Sequence, residues 1–421
     1  MKRLISSILL LSLLVMTFAA SFAEDNVVKT TDVSLKKAVE LAVEHDRNAK
    51  KVQDGIDNAW DQENLAMEAK NKIQDALDTI DAYKKLYDKK YKDNETLSPT
   101  EAYILTKYQA ALGKTPPVYT GQEMLDNFIK TRDFLHYAAW TGIQKAKNQK
   151  EEIAPIIETS LRSLYINDLD LTGLINAKED YYNTMVKSFD ADTLKYEKGL
   201  ISEDQYITSK LNLQIQKMEL DSDIRNKDTL EMNIKKLIGV DLNSKINLTS
   251  ELLSIPNESF DSFEGYYDKA LKNRDEIANA NFDLNQYVRE ENIIKEYLSN
   301  ELLTDRVNAR LNVLRSEDSL ENAKNIVKMD IYTGYTDLIT LRQNYLNQKE
   351  TFVTERKNLS NSKLMFEKGL MTEIDYNRLN YKYNMIEVGF KSAIRKYVNA
   401  IYKLEGASEK HGSSYIQKGA F

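Results

Sequence analysis

Few side chains in this 421-residue chain are of a type that does covalent chemistry, and their scarcity narrows the options. There is no cysteine, which excludes a thiolate metal site, a cysteine nucleophile, a disulfide scaffold and a lipidated-cysteine anchor. The 3 histidines, His45, His136 and His411, are scattered, which argues against a histidine metal site or a catalytic triad. The 65 acidic residues will form carboxylate pairs by chance, and without a pocket-forming fold such pairs give no hydrolytic site. No phosphate loop, metal cluster or nucleophile–base arrangement is present. The expectation is no catalytic residue, no cofactor and no metal, in a chain that is not an enzyme. The acidic run Glu219-Leu220-Asp221-Ser222-Asp223 could line a duct and favour cations, or be the solvated face of a coiled coil. The 25 tyrosines fall largely on heptad positions and read as packing, whereas Trp60 and Trp140 look isolated.

A duplicated block is the sharper functional signal. Tyr196-Glu197-Lys198-Gly199-Leu200-Ile201-Ser202-Glu203 is answered, 170 residues later, by Phe366-Glu367-Lys368-Gly369-Leu370-Met371-Thr372-Glu373. Gly199 and Gly369 let the backbone turn with positive φ, which a residue carrying a Cβ resists. Leu200 and Leu370 follow at the outermost point, where an apolar side chain has no core of its own. One such pair could be a capped helix end with a local staple contact. Occurring twice in the same context, Gly199, Leu200, Ser202, Gly369, Leu370 and Thr372 form a candidate partner surface.

The elements that hold these tips are legible in composition and rhythm. Only 14 Gly and 5 Pro imply long uninterrupted helices rather than a β-sandwich or a string of small domains. Ile331, Leu338, Tyr345, Phe352, Leu359 and Phe366 recur every seven residues, flanked by a second stripe of Tyr332, Ile339, Leu346 and Val353. A 3.5-residue apolar period keeps one seam facing a partner helix. After Gly369 the rhythm resumes from Tyr376 through Tyr383, Phe390 and Tyr397 to Leu404, so the two arms form a helical hairpin. Arms of about 37 residues would extend roughly 55 Å. The upstream copy keeps the same offset, except that Asp168 stands where the second has Leu338. Downstream, Leu237-Ile238-Gly239 matches Leu404-Glu405-Gly406 three residues out of step, which suggests a stammer in the first copy. Leu211 to Gln216 and Tyr381 to Tyr383 alternate like strands but sit in helical spacing. Each copy begins with a short helix, Ser34 to Ala42 or Tyr266 to Leu271, and Ser34 is a candidate N-cap. The joint between the copies, 240–263, gathers Ser, Asn and Pro256.

The chain also opens with Met1-Lys2-Arg3, an apolar run from Leu4 to Ala20 and Ser21-Phe22-Ala23, the layout of a signal peptide. A retained N-terminal anchor is the alternative. Cleavage would remove Lys2 and Arg3 and take the formal charge from -7 to -9, which disfavours a nucleic-acid partner.

These residues resemble the TolC family of outer-membrane efflux proteins over most of the mature chain. The resemblance rests on the repeat opening from Leu35 to His45, the tip blocks at Tyr196 to Ser202 and Phe366 to Thr372, and the closing Leu237 to Gly239 and Leu404 to Gly406. It implies an all-α fold of two pseudo-repeats, each with a long antiparallel coiled-coil hairpin, and a homotrimer closing into an α-barrel. It also implies tips that dock a periplasmic adaptor (membrane fusion) protein linked to an inner-membrane pump. The family inserts two barrel strands per half. The corresponding slots, Tyr91 to Gln122 and Asn292 to Asn325, read here as polar helix and turns, the second helical throughout, so little or no β is expected.

The resulting organisation is a signal peptide at 1–23, a first helical repeat at 24–245 with its tip near Gly199, a second at 246–407 with its tip near Gly369, and a flexible tail at 408–421. The expected role is a passive helical conduit for efflux or secretion, exported to the cell envelope or a periplasm-like space, with outer-membrane association implied by the family. Two other readings stay open: a coiled-coil spacer of the envelope without a bore, and a conventional outer-membrane channel.

Overall fold

A computed structural model describes residues 30–255, 260–409, 412 and 414. The leader at 1–23, Pro256 in the joint and most of the tail at 408–421 lie outside the described residues. The chain starts with β1 (Thr30–Val33), α1 (Leu35–His45), α2 (Arg47–Tyr91) and α3 (Pro99–Leu112). Next, α4 (Gly121–Met124), a π-helical stretch Leu125–Leu135 and α5 (His136–Glu197) run on as one rod, and α6 (Glu203–Ile238) returns along it. After β2 (Lys245–Leu248) the second half follows with α7 (Phe263–Asn273), α8 (Asp275–Tyr297), α9 (Thr304–Glu367) and α10 (Glu373–Ser408).

Capping chemistry sets many of the helix starts. Ser34 Oγ accepts the Lys37 amide of α1 at 3.2 Å, and Ser262 Oγ accepts that of Gly265 in α7 at 3.1 Å. Ser98 and Glu101 form a reciprocal capping box, with Pro99 in the first turn of α3, where no amide hydrogen is needed. Thr120 and Glu123 repeat that box before the long rod.

Each half buries its short opening helix against the base of its own hairpin. In the first half Ala38 and Ala42 pack with Leu161, Tyr165, Ile234 and Ile238. In the second, Tyr266 and Ala270 pack with Ile331, Leu338, Ile401 and Leu404. Full burial of each Leu or Ile side chain contributes about 1.5–3 kcal/mol, so these bases anchor the hairpins. Towards the tip of the second hairpin the seam becomes aromatic: Tyr345 stacks on Tyr397 at 5.6 Å and Phe352 on Phe390 at 4.8 Å. Buried Arg274 locks the second base, donating to Asp330 at 2.9 Å and to the carbonyl of Ala407 at 3.2 Å. The two hairpins lie side by side, joined by Arg395 to Asp170 at 2.8 Å and by Tyr181 stacked on Tyr381 at 4.0 Å. The order across this layer is α9, α10, α5, α6, which leaves α6 and α9 at its edges.

The all-α, two-hairpin expectation holds, with several corrections. β1 and β2 pair in parallel, Thr30 with Lys245 through Val33 with Leu248, tying the start of the first repeat to the joint. The slot Asn292 to Asn325 is not helical throughout, because α8 ends at Tyr297 and α9 starts at Thr304. The outgoing arms are far longer than 37 residues. α5 has 62 and α9 has 64, about 95 Å at the helical rise, because the helices continue beyond the heptad stretch. No stammer is present: α6 and α10 both have 36 residues, and the offset of 170 pairs buried Ile234 with buried Leu404. Gly239 ends α6 with φ 70°, whereas Gly406 lies inside α10. Trp60 and Trp140 are not isolated, since Lys147 lies over the Trp60 ring and Trp140 stacks on Tyr137 at 5.5 Å. In the first barrel slot, α3 and the loop after it stand where strands were sought.

Asp168, which breaks the repeat, is 4% exposed. Lys227 reaches only to 3.7 Å and pairs with Glu231, so Asp168 Oδ1 has no hydrogen-bond donor. Desolvation, with the Glu231 charge adding to it against Lys227, pushes the carboxyl up to about 6. A carboxyl that binds its proton more readily folded than unfolded adds stability as pH falls from about 6 toward its ordinary range near 4. Asp168→Leu, which installs the side chain of the other repeat, is expected to raise stability at pH 7–8 by about 1–2 kcal/mol. Asp168→Asn should flatten the pH dependence between about 4 and 6. Urea melts followed by helical dichroism across that range check both.

Candidate functional site: the twin hairpin tips

Both hairpins reverse through the same backbone device. Gly199 and Gly369 each have φ 71°. The Gly199 amide donates to the Tyr196 carbonyl at 2.8 Å, and the Leu200 amide to that of Lys195 at 2.8 Å. Gly369 and Leu370 repeat this with Phe366 at 2.9 Å and Met365 at 2.8 Å. This is a Schellman ending, which satisfies carbonyls that the helix end would otherwise leave open. The return helices then start on side-chain caps. Ser202 Oγ accepts the Gln205 amide at 3.3 Å, and Thr372 Oγ1 accepts that of Asp375 at 3.1 Å. Inside each tip an aromatic pair clamps the arms: Tyr196 on Tyr206 at 4.7 Å and Phe366 on Tyr376 at 5.1 Å.

A Schellman ending often packs its following apolar residue back onto the last helical turn. Here that contact does not bury it, because Leu200 is 70% exposed and Leu370 is 69% exposed. Leu194 and Leu364, one turn back, are also exposed. The tips therefore present apolar surface outward, on a hydrogen-bonded turn. The six sequence-selected residues fall into two separate groups of three, one per hairpin. Ser202 and Thr372 act there as caps, while the two leucines are free to touch something else. Beside the tips, a cleft of about 180 Å³ runs between the hairpins, with Tyr181, Ser188, Ser209, Ile374 and Arg378 among its lining residues. Sequence reading missed this cleft. Its walls come from three helices, and the one recurrent clue is the tyrosine content that yields the Tyr181–Tyr381 stack.

The acidic run on α6 is no free acidic lining. Asp223 and Glu219 face Lys178 of α5 at 2.7 and 3.7 Å, Asp221 pairs with Lys217 at 3.0 Å, and Leu220 is buried. His136 lies 3.5 Å from Glu63, and His45 packs beside Gly239. Among the described residues no group of three His or carboxylate side chains converges on a point.

Nothing lies within 4 Å of a Cβ built on Gly199 or Gly369, so an alanine there meets only the left-handed backbone. Gly199→Ala and Gly369→Ala are each expected to cost about 1–2 kcal/mol in urea melts, with helical content unchanged.

No family profile and no curated protein sequence matches the chain. Solved structures do. The Campylobacter jejuni CmeC outer membrane channel aligns with a TM-score of 0.60 at 14% identity, over 90% of this chain and 87% of that one. A membrane protein from Pseudomonas aeruginosa aligns at 0.60 and 11%, over 93% and 94%. The outer membrane protein VceC from Vibrio cholerae aligns at 0.50 and 13%, over 88% and 96%. At these identities the likeness is one of architecture. The fold of this chain is thus the TolC-type fold, two helix–helix–hairpin repeats side by side, with α3 and short loops in the slots where strands were sought.

Proposed function

We propose that this chain is one protomer of a passive TolC-like conduit of the cell envelope, assembled as a homotrimer and docked by its tips to the adaptor of an inner-membrane pump. On this reading residues 1–23 are the export leader, the repeats span 24–245 and 246–407, and 408–421 is a tail. The observation that carries the proposal is the pair of exposed leucines, Leu200 and Leu370, on two turns with the same glycine φ and the same Schellman hydrogen bonds. An adaptor's helical hairpin would pack between the two tips, helix against helix, with its side chains reaching the small cleft there. The structural neighbours that are themselves outer membrane channels support the conduit reading.

Assembly has its own support. On edge helix α9 the stripe Tyr332, Ile339, Leu346 and Val353 is exposed. On the opposite edge helix, α6, Ile207, Leu211, Ile215 and Met218 are exposed as well. Two different apolar edges on one layer suit a head-to-tail contact between copies, which closes into a ring when the rotation allows.

Replacing Leu200 and Leu370 by Asp is expected to abolish cross-linking to the adaptor without lowering the melting temperature; unchanged cross-linking would refute tip docking. Light scattering should give three times the chain mass, reduced to one by Ile339→Lys with Leu346→Lys. A monomer or dimer of the parent chain would instead favour a spacer without a bore.

A further inference from the structure

The end opposite the tips carries a second surface. There α2 and α3 form a helical hairpin, joined by Lys89 to Glu101 at 2.7 Å and by the Tyr83 hydroxyl donating to the Gly113 carbonyl at 2.6 Å. Tyr83 and Tyr108 pack across it at 5.8 Å, and Leu105 is buried between the arms. The loop that follows α3 is pressed against the loop that follows α8. Gly121 sits so close to the Tyr297 carbonyl that a Cβ would come within 2.0 Å, and Gln122 donates to Asp305 at 3.1 Å. These two loops carry the two most exposed large aliphatic side chains among the described residues, Val118 at 92% and Leu302 at 87%. On the hairpin itself Tyr103 is 61% exposed and Tyr91 is 52% exposed.

The charge of this end is opposite to that of the chain. Residues 83–120 and the loop 298–303 together hold 7 Lys against 5 Asp and Glu, in a protein whose formal charge is -7. Lys84, Lys85, Lys90, Lys92, Lys107 and Lys114 are exposed. Lys90 lies over the Tyr91 ring at 5.1 Å and Lys107 over the Tyr103 ring at 4.9 Å, which places cations beside the amphipathic rings. Tyrosines with an apolar body and polar tip, lysines with long aliphatic stems, and isolated aliphatic prongs are the side chains that settle at a headgroup boundary. A lipid surface needs no groove to receive such side chains, whereas a folded partner demands shape complementarity.

We propose that this end, comprising the α2–α3 hairpin and the loops bearing Val118 and Leu302, rests on an anionic phospholipid surface. The prongs enter the headgroup layer and the lysines neutralise lipid phosphates. This surface and the tips are at opposite ends of the rod, so either proposal can fail without the other.

The test is flotation of the full-length protein with vesicles of phosphatidylcholine alone or mixed with phosphatidylglycerol. The parent should float with the anionic vesicles, weakly with the zwitterionic ones, and lose most binding at about 0.5 M salt. Val118→Asp with Leu302→Asp, and separately Lys84, Lys90, Lys107 and Lys114 each changed to Glu, should each lower the bound fraction at least about tenfold. All six positions are exposed, and unchanged dichroism melts confirm that the variants fold. Tyr103→Trp adds a second readout, a blue shift of emission over the parent when anionic vesicles are added. Four results would overturn the proposal: no flotation of the parent, equal flotation of the variants (binding then residing elsewhere, such as residues 1–23), no emission shift, or a photo-cross-linker at position 118 that labels envelope protein but no lipid.

Discussion

A helix that reverses through a left-handed glycine has no freedom in where its return arm begins. The Schellman hydrogen bonds at Gly199 and Gly369 fix the last carbonyls of the outgoing arm, and the caps at Ser202 and Thr372 fix the first amides of the return. The register of each hairpin follows from these turns. With register set, the seven-residue stripe of one arm meets the three–four rhythm of the other over the whole length, and the same offset reaches the base, where Ile234 and Leu404 take equivalent buried places. A single glycine geometry therefore governs both the core at one end and the exposed leucines at the other.

The two repeats use that frame differently. The second has an apolar seam, with Ile331 and Leu338 fully buried, whereas the first places Asp168 in the corresponding core and surrounds it with Lys227 and Glu231. A buried carboxylate with one oxygen left without a hydrogen-bond donor weakens that half at neutral pH relative to its copy. Lys178 pairs with Asp223 across the middle of the first hairpin, near the level where the second stacks Phe352 on Phe390. The halves also part company away from the tips. The first extends into the α2–α3 hairpin, while the second closes in the short connection between Tyr297 and Thr304.

Long rods of this kind have little interior. Stripes that a globule would bury remain on the edges, as at Ile339 on α9 and Leu211 on α6, and apolar points remain at both ends. Each of these surfaces has its own chemistry: aliphatic stripes along the edges, leucines on hydrogen-bonded turns at the tips, and aliphatic prongs among tyrosines and lysines at the far end. That separation suits the proposed conduit, whose lateral contacts and end contacts would then form independently.

The sequence alone determined everything that depends on local spacing. Heptads, glycines and caps lie within one or two helical turns of each other, so the hairpins, the tips and the duplication could be read directly. Helix was likewise legible for Leu211 to Gln216, because long-range spacing outweighed a short alternation. What the sequence left undecided depends on residues far apart in the chain. The parallel pairing of Thr30–Val33 with Lys245–Leu248 joins segments too short to carry a strand pattern. The apparent stammer dissolved because helix ends are set by caps and packing, not by matching a terminal glycine. The stretch around Leu298 read as helix because nothing in its composition breaks one, and packing of Gly121 on the Tyr297 carbonyl marks where the chain turns. Which apolar stripe is seam and which is edge was also a tertiary outcome. Both stripes have the same period, and only the position of α10 beside α9 buries Ile331 while leaving Tyr332 in water.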